Sequence, residues 1–185
     1  MGERAVVEIA RRLACSADLQ KLRGLRGTAF IGGPSDLPAG AACLRLPSHE
    51  EIQAAPKRLM EATLALEAQM RCDSWALQEH AGRTVFFAPP APPLSPSELD
   101  RLYALPFTRL PHPSYQKTVP AAGMLRFSLT AHRGCAGGCS FCALALHQGR
   151  RISSRSRKSL LAEAAALTRR PDWDGSITDM GGPSA

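Results

Sequence analysis

Apolar positions recur with a helical period at the start of the chain. Val6, Ile9, Ala10 and Leu13 fall on one face, which predicts a helix over residues 3–14. Gly24 and Gly27 break the pattern, and Thr28-Ala29-Phe30-Ile31 reads as a short strand ended by Gly32-Gly33-Pro34. Residues 35–47 are a connector rich in Pro and Ala. Ser48 and Glu51 then have the spacing of a capping box, which opens the longest expected helix. Leu59, Thr63, Leu66 and Met70, widened by Met60 and Leu64, stripe the side expected to face the core. Pro56 has no backbone donor, so this helix should kink or split near Gln53.

The second half alternates strand and helix signals. Residues 83–88 read as a strand, and Pro89, Pro90, Pro92 and Pro93 continue it as a stiff extended connector. Ser95-Pro96-Ser97-Glu98 combines a capping box with Pro in the first turn and predicts a helix ending near Ala104. Residues 106–123 are proline-rich and irregular, and His112 within them carries no assigned chemistry. Residues 125–130 read as a strand. Ser156 is the expected N-cap of a helix over 157–169, with Leu160, Leu161, Ala164 and Leu167 inward and Pro171 as its stop. A last strand is expected at 175–179, followed by Met180-Gly181-Gly182-Pro183. Strand, loop, helix and strand in this order make a parallel α/β unit, whose chemistry lies at the strand C-termini.

Composition changes the picture in three places. A chain of 185 residues, 44% apolar and 5% aromatic, is long enough for one domain, or a domain and a piece of another, with aliphatic cores. It has no apolar run of membrane length and opens with no secretory signal, so a soluble, cytoplasmic protein is expected. The net charge is +7, concentrated at Arg150, Arg151, Arg155, Arg157 and Lys158, a run expected to be a solvated loop. No aromatics alternate with these charges, so a stacking platform for single strands is not indicated; a phosphate-bearing or nucleic-acid partner stays open.

Cysteine usage carries the strongest signal. Cys15, Cys43 and Cys72 are isolated and read as incidental thiols. Cys135, Cys139 and Cys142 form C-x3-C-x2-C directly after a predicted strand, with Gly137 and Gly138 between the first two. A closed structural zinc site takes four ligands. Three thiolates suit a 4Fe-4S cluster with one iron left open. His132 and Arg133, just before Cys135, are expected to position the loop. Two other readings remain at this point: a small zinc- or nucleic-acid-binding module completed by His132 or His147, and an inactive remnant.

Phe141 before the last cysteine gives the loop the C-x3-C-x-aromatic-C form and makes it resemble the radical SAM superfamily. HRGCAGGCSFC, LHQGR and SRS, with GERAVVEIARRLA, LPSHEEI, PPAPPL, LPFTRLPHPSY and SITDMGGPSA in order along the chain, resemble the YgiQ family of radical SAM proteins. The resemblance implies a fold of class α/β. Residues 1–34 would be the end of an N-terminal α/β domain, 35–123 a helical, proline-rich connecting region, and 124–185 the first two strands and one helix of a partial (β/α) barrel. It implies a 4Fe-4S cluster on Cys135, Cys139 and Cys142, whose open iron takes S-adenosylmethionine. Gly181 and Gly182 would approach the methionine amino group, with Pro183 where many members of the superfamily carry a glutamate. The reaction would be 5′-deoxyadenosyl radical chemistry on an unknown substrate, with an electron donor such as a flavodoxin or ferredoxin. The chain is expected to be a fragment cut at both ends, inactive alone.

Overall fold

The computed structural model describes residues 2–182, which form two compact units meeting in sequence at Pro92 and Pro93. In the first unit four strands make one sheet: β1 (Ala29–Gly32), β2 (Cys43–Arg45), β3 (Trp75–His80) and β4 (Arg83–Phe87), in the order β1-β4-β3-β2. β3 and β4 form a hairpin through Ala81 and Gly82, both at positive φ (49° and 71°), the two-residue turn whose twist matches antiparallel strands. β1 adds antiparallel to β4, and β2 adds parallel to β3. The core lies on one sheet face. Trp75, Phe86 and Ala88 are buried there, and Phe30 stacks on Phe86 at 5.7 Å and meets Trp75 edge-on at 6.2 Å. Because β1 pairs with β4, a boundary between residues 34 and 35 would run through this sheet.

Three helices accompany the sheet. α1 (Glu3–Cys15) forms as its period predicts but buries none of its residues, and Val6 and Leu13 stay exposed. α2 (His49–Ala54) begins with the expected capping box, in which the Glu51 N–H donates to Ser48 Oγ at 3.1 Å and the Ser48 N–H to Glu51 Oε2 at 2.7 Å. Ala55 and Pro56 separate it from α3 (Lys57–Arg71), so the proline splits the helix as expected. The α3 stripe is a correction. Leu59, Met60 and Leu64 are exposed, and the helix buries Ala62 and Gln69, two turns apart. Gln69 Nε2 donates to the Phe87 carbonyl at 3.2 Å, which fixes the rotation of the helix on the strand β4 end.

The second unit begins with α4 (Pro96–Tyr103), capped by the Ser95–Glu98 box and anchored by buried Leu99. After irregular residues comes α5 (Ala122–Arg126), so the first two residues of the expected strand at 125–130 are helical and only β5 (Ser128–Thr130) is extended. Its bend is held by Leu125 N–H on the Ala121 carbonyl at 3.0 Å. β6 (His132–Arg133) follows at once, then α6 (Leu144–Gln148), β7 (Ser153–Ser154), α7 (Arg157–Thr168) and β8 (Asp179–Gly181). β8 pairs parallel with β5, Ser128 opposite Asp179 and Thr130 opposite Gly181. The last strand therefore lies later than the expected 175–179. Gly175 takes φ +95°, and the Ser176 N–H turns back onto Asp174 Oδ1 at 3.0 Å, which keeps the earlier residues out of the ladder.

α7 crosses between the two parallel strands and packs Leu167 on Phe127 and Leu129, with Ala164 and Trp173 at the margin. Phe127 and Trp173 meet edge-on at 5.1 Å. Leu161, expected inward, is exposed: the buried seam of α7 runs through Leu167 and, at half burial, Ala164. No helix among the described residues is long and apolar enough to cross a membrane.

Candidate metal centre

The three clustered cysteines sit on an excursion whose two ends are tied together. β6 and β7 pair antiparallel, His132 opposite Ser154 and Arg133 opposite Ser153. One residue outward, the Ala131 N–H donates to the Gly181 carbonyl at 2.7 Å, and the Arg155 N–H to the Ala131 carbonyl at 2.9 Å. Residues 134–152 thus leave the C-terminal end of β5 and return to it, where a parallel α/β unit presents its loops.

Glycine makes the neck of this loop. Gly134 has φ +92°, and a Cβ there would collide with the carbonyl of Arg151. Its N–H donates to Gln148 Oε1 at 3.2 Å, and the Cys135 N–H donates to the Gly149 carbonyl at 3.0 Å. Cys142 closes a turn onto the Cys139 carbonyl at 3.1 Å, and α6 begins two residues later. A Cβ built on Gly137 would lie 3.4 Å from Cys135 Sγ and 3.8 Å from Cys139 Sγ, so the missing side chain leaves space that two thiols flank. A Cβ on Gly138 would lie 3.3 Å from the guanidinium of Arg150, which therefore reaches the same turn.

Cys135 and Cys142 are half-buried and Cys139 is exposed. Among the described residues no three His, Cys, Asp or Glu side chains converge to hold a metal ion. Phe141 points outward and is 90% exposed. The donor set fits an iron–sulfur group in kind: three soft sulfur donors on one glycine-opened loop, with a guanidinium beside it.

Gly181 and Gly182 are brought to this loop by β8. Gly181, expected in the turn after the strand, is instead the last residue of the strand, and its carbonyl accepts from the Ala131 N–H. Gly182 follows it, and a Cβ there would lie 2.6 Å from the His132 ring. The second loop is therefore packed, through His132, on the strand that leads to Cys135. Pro183 lies outside the described residues. Cys15, Cys43 and Cys72 stand apart in the first unit, and burial pushes the Cys43 thiol up.

The basic run contains a surprise. Arg155, expected in a solvated loop, is buried, its side chain 1% exposed. Its Nε and Nη2 donate to Ser159 Oγ at 3.2 and 2.7 Å, its Nη1 reaches the Thr130 carbonyl at 3.1 Å and Glu163, and its guanidinium lies 4.3 Å from the Tyr103 ring centroid. Arg109 pairs with the other Glu163 oxygen and donates to the Ser128 carbonyl at 2.8 Å. This network ties α7 to β5, and sequence reasoning missed it. Its only local trace is Ser159 and Glu163, four and eight residues after Arg155 on one helical face.

Comparison with known proteins adds the family. The radical SAM N-terminal family model matches residues 1–128, so the cysteine loop lies just beyond the matched segment. The whole chain aligns with UPF0313 proteins: 44% identity to one from Geobacter sulfurreducens, 40% to one from Methanocella arvoryzae and 39% to one from Bacteroides thetaiotaomicron. It spans 31%, 31% and 32% of those relatives' lengths, about a third of each. No solved structure matches it. With more than half of its residues matched by that model, the chain belongs to the radical SAM N-terminal family.

Proposed function

We propose that this chain carries the cluster-binding portion of a radical SAM enzyme of the YgiQ kind. Cys135, Cys139 and Cys142 would ligate a 4Fe-4S cluster, and Gly181 and Gly182 would border the S-adenosylmethionine site. When bound, the cluster would supply one electron to cleave that cofactor's sulfonium bond and start radical chemistry on a substrate. The observation that carries this reading is the position of the C-x3-C-x2-C loop, which leaves the C-terminal end of β5 in a parallel β5-α7-β8 unit and is necked by Gly134.

The chain's own residues have definable parts in it. The pairing of β6 with β7 fixes the ends of the loop, and the three ligands, close in sequence, would meet by rearrangement within it. Gly137 leaves room between two sulfurs, and Arg150, beside Gly138, would offset part of the negative charge of three ligating thiolates. His132 orients the Gly182 turn by lying against it. β5, α7 and β8 would be the first strands and helix of a partial (β/α) barrel, whose further strands would wall the site from water. A flavodoxin or ferredoxin would donate the electron. A reducing cytoplasm would suit the free thiols of Cys15 and Cys72, which are exposed.

The test is paramagnetic resonance of the anaerobically reconstituted, reduced chain before and after S-adenosylmethionine is added. A change in the cluster signal is expected. An unchanged signal, with the cluster demonstrably present, would remove the cofactor from the account. Zinc without sulfide in the anaerobically purified chain would favour a zinc module instead.

A further inference from the structure

The second unit contains a cleft of about 500 Å³, well within the size range of ligand sites. One wall is α7, where Ser159, Ala162 and Ala166 are small enough to leave a floor. Facing it are Leu105, Pro106 and Phe107; Leu105 is 53% and Phe107 52% exposed, apolar surface that a ligand would cover.

The charge around the cleft is lopsided in a specific way. Two carboxylates are each shared by two guanidiniums: Glu163 by Arg109 and Arg155, and Asp172 by Arg126 and Arg170. Arg109, Arg155 and Arg170 all line the cleft, as does Lys158, which has no ion pair among the described residues. The other lining carboxylate, Asp100, is engaged by the Ser156 N–H at 2.9 Å. Burial lowers the Arg109 guanidinium pKa, and the charge of Arg170 lowers it further. Burial does the same to Arg155, opposed by Tyr103 and Asp100, with Arg109 adding a smaller share. Four cationic side chains line the cleft against two carboxylates, so positive charge is in surplus there, and an anion would relieve it. Arg109 Nη1 donates to the Arg126 and Ser128 carbonyls at 3.2 and 2.8 Å, which holds its guanidinium in place at the cleft wall.

We infer that this cleft binds a small amphipathic organic anion. The apolar body lies along Ala162 and Ala166 against Leu105 and Phe107, and a carboxylate, sulfonate or phosphate head meets Arg109 and Arg170. Apolar area supplies affinity, and the unbalanced guanidiniums select the charge. The site is separate from the cysteine loop, and its test needs neither iron nor S-adenosylmethionine.

The experiment titrates the purified chain with 1-anilinonaphthalene-8-sulfonate, then displaces it with dodecanoate or with uncharged 1-dodecanol, both below micellar concentrations. One saturable class of probe sites is expected, with dodecanoate effective at about tenfold lower concentration than dodecanol, the discrimination worth one charge-assisted contact. Ala166→Phe, at an exposed helix position, should fill the cleft and remove the saturable phase. Arg170→Ala should make dodecanoate no better than dodecanol. Melting curves of both variants check that they fold; if Arg170→Ala does not, Ala166→Phe decides alone. An unchanged titration in Ala166→Phe would place the probe on apolar surface elsewhere, such as Phe141 or Met180, and overturn the inference. Equal displacement by dodecanoate and dodecanol in the parent chain would overturn it too.

Discussion

Glu163→Ala should be the most damaging single charge deletion in the second unit. Its carboxylate is 11% exposed and sits between Arg109, 17% exposed, and Arg155, 1% exposed. Removing it leaves two guanidiniums side by side out of water, one of them already discharging its remaining donors onto Ser159 and Thr130. Breaking a buried pair by deleting one partner costs about 3–5 kcal/mol. With a urea slope of about 1–3 kcal/mol per molar, the midpoint of unfolding should fall by roughly 2 M. Glu163→Gln keeps an acceptor at the same place and should lose about half as much, because a hydrogen bond to a charged group is worth about 1.5–3 kcal/mol. The assay is urea unfolding followed by Trp173 fluorescence, since Trp173 packs against the same core as α7. In a cycle with Arg109→Ala, the double variant should recover part of the loss, because the repulsion it relieves is then gone. A fall below about 1 kcal/mol for Glu163→Ala would mean that water reaches these groups and that the network is a surface one.

Other outcomes follow from particular contacts. Gly134→Ala should reduce iron uptake on reconstitution severalfold while leaving the melting of the first unit unchanged, since a Cβ there strikes the Arg151 carbonyl at the loop neck. Gly182→Ala should shift the His132 ring, which a Cβ would approach to 2.6 Å, and blunt the cluster's spectral response to S-adenosylmethionine more than it lowers iron content. Phe86→Ala, in the centre of the first sheet, should cost about 3–5 kcal/mol, read from denaturant unfolding. Asp36 has its carboxyl held below the usual 3.8 by the Gly33 N–H at 2.8 Å and by Arg23. A depressed folded pKa gives stability that is present above the unfolded value and lost as pH falls through the folded one. Acid unfolding of the chain should therefore begin below about pH 4–5, and Asp36→Asn should flatten that slope. Release of 5′-deoxyadenosine by this chain should stay at a trace beside any by the longer Geobacter sulfurreducens relative, of whose length it spans 31%; equal multiple-turnover rates would mean that these residues hold a complete active site.

Local devices were legible in the sequence, and partners distant in sequence were not. The boxes at Ser48 and Ser95 use atoms three residues apart, so spacing alone predicts them, and both form. The split at Pro56 follows from one missing donor. β2 and β3 escaped notice because neither alternates cleanly; β2 is extended only because Cys43, Leu44 and Arg45 find Trp75, Ala76 and Leu77 thirty-two residues on. The α3 stripe was read from hydrophobicity, but the sheet presents the Phe87 carbonyl, and Gln69 turns to meet it. Arg155 looked like one member of a solvated run because Tyr103 and the Thr130 carbonyl, which it meets, lie far from it in sequence. Within the candidate site, the cysteines and glycines were visible as a pattern. The contact of His132 with Gly182 was not, since it depends on the parallel pairing of β5 with β8.

The central claim is that Cys135, Cys139 and Cys142 hold an iron–sulfur cluster. Metal and sulfide analysis of the anaerobically reconstituted chain tests it most directly, beside variants with alanine at each of the six cysteines. The account predicts about four iron and four sulfide per chain, lost on Cys135→Ala, Cys139→Ala or Cys142→Ala and kept on Cys15→Ala, Cys43→Ala and Cys72→Ala. Stoichiometric zinc without sulfide, or iron that survives all three loop substitutions, would contradict it.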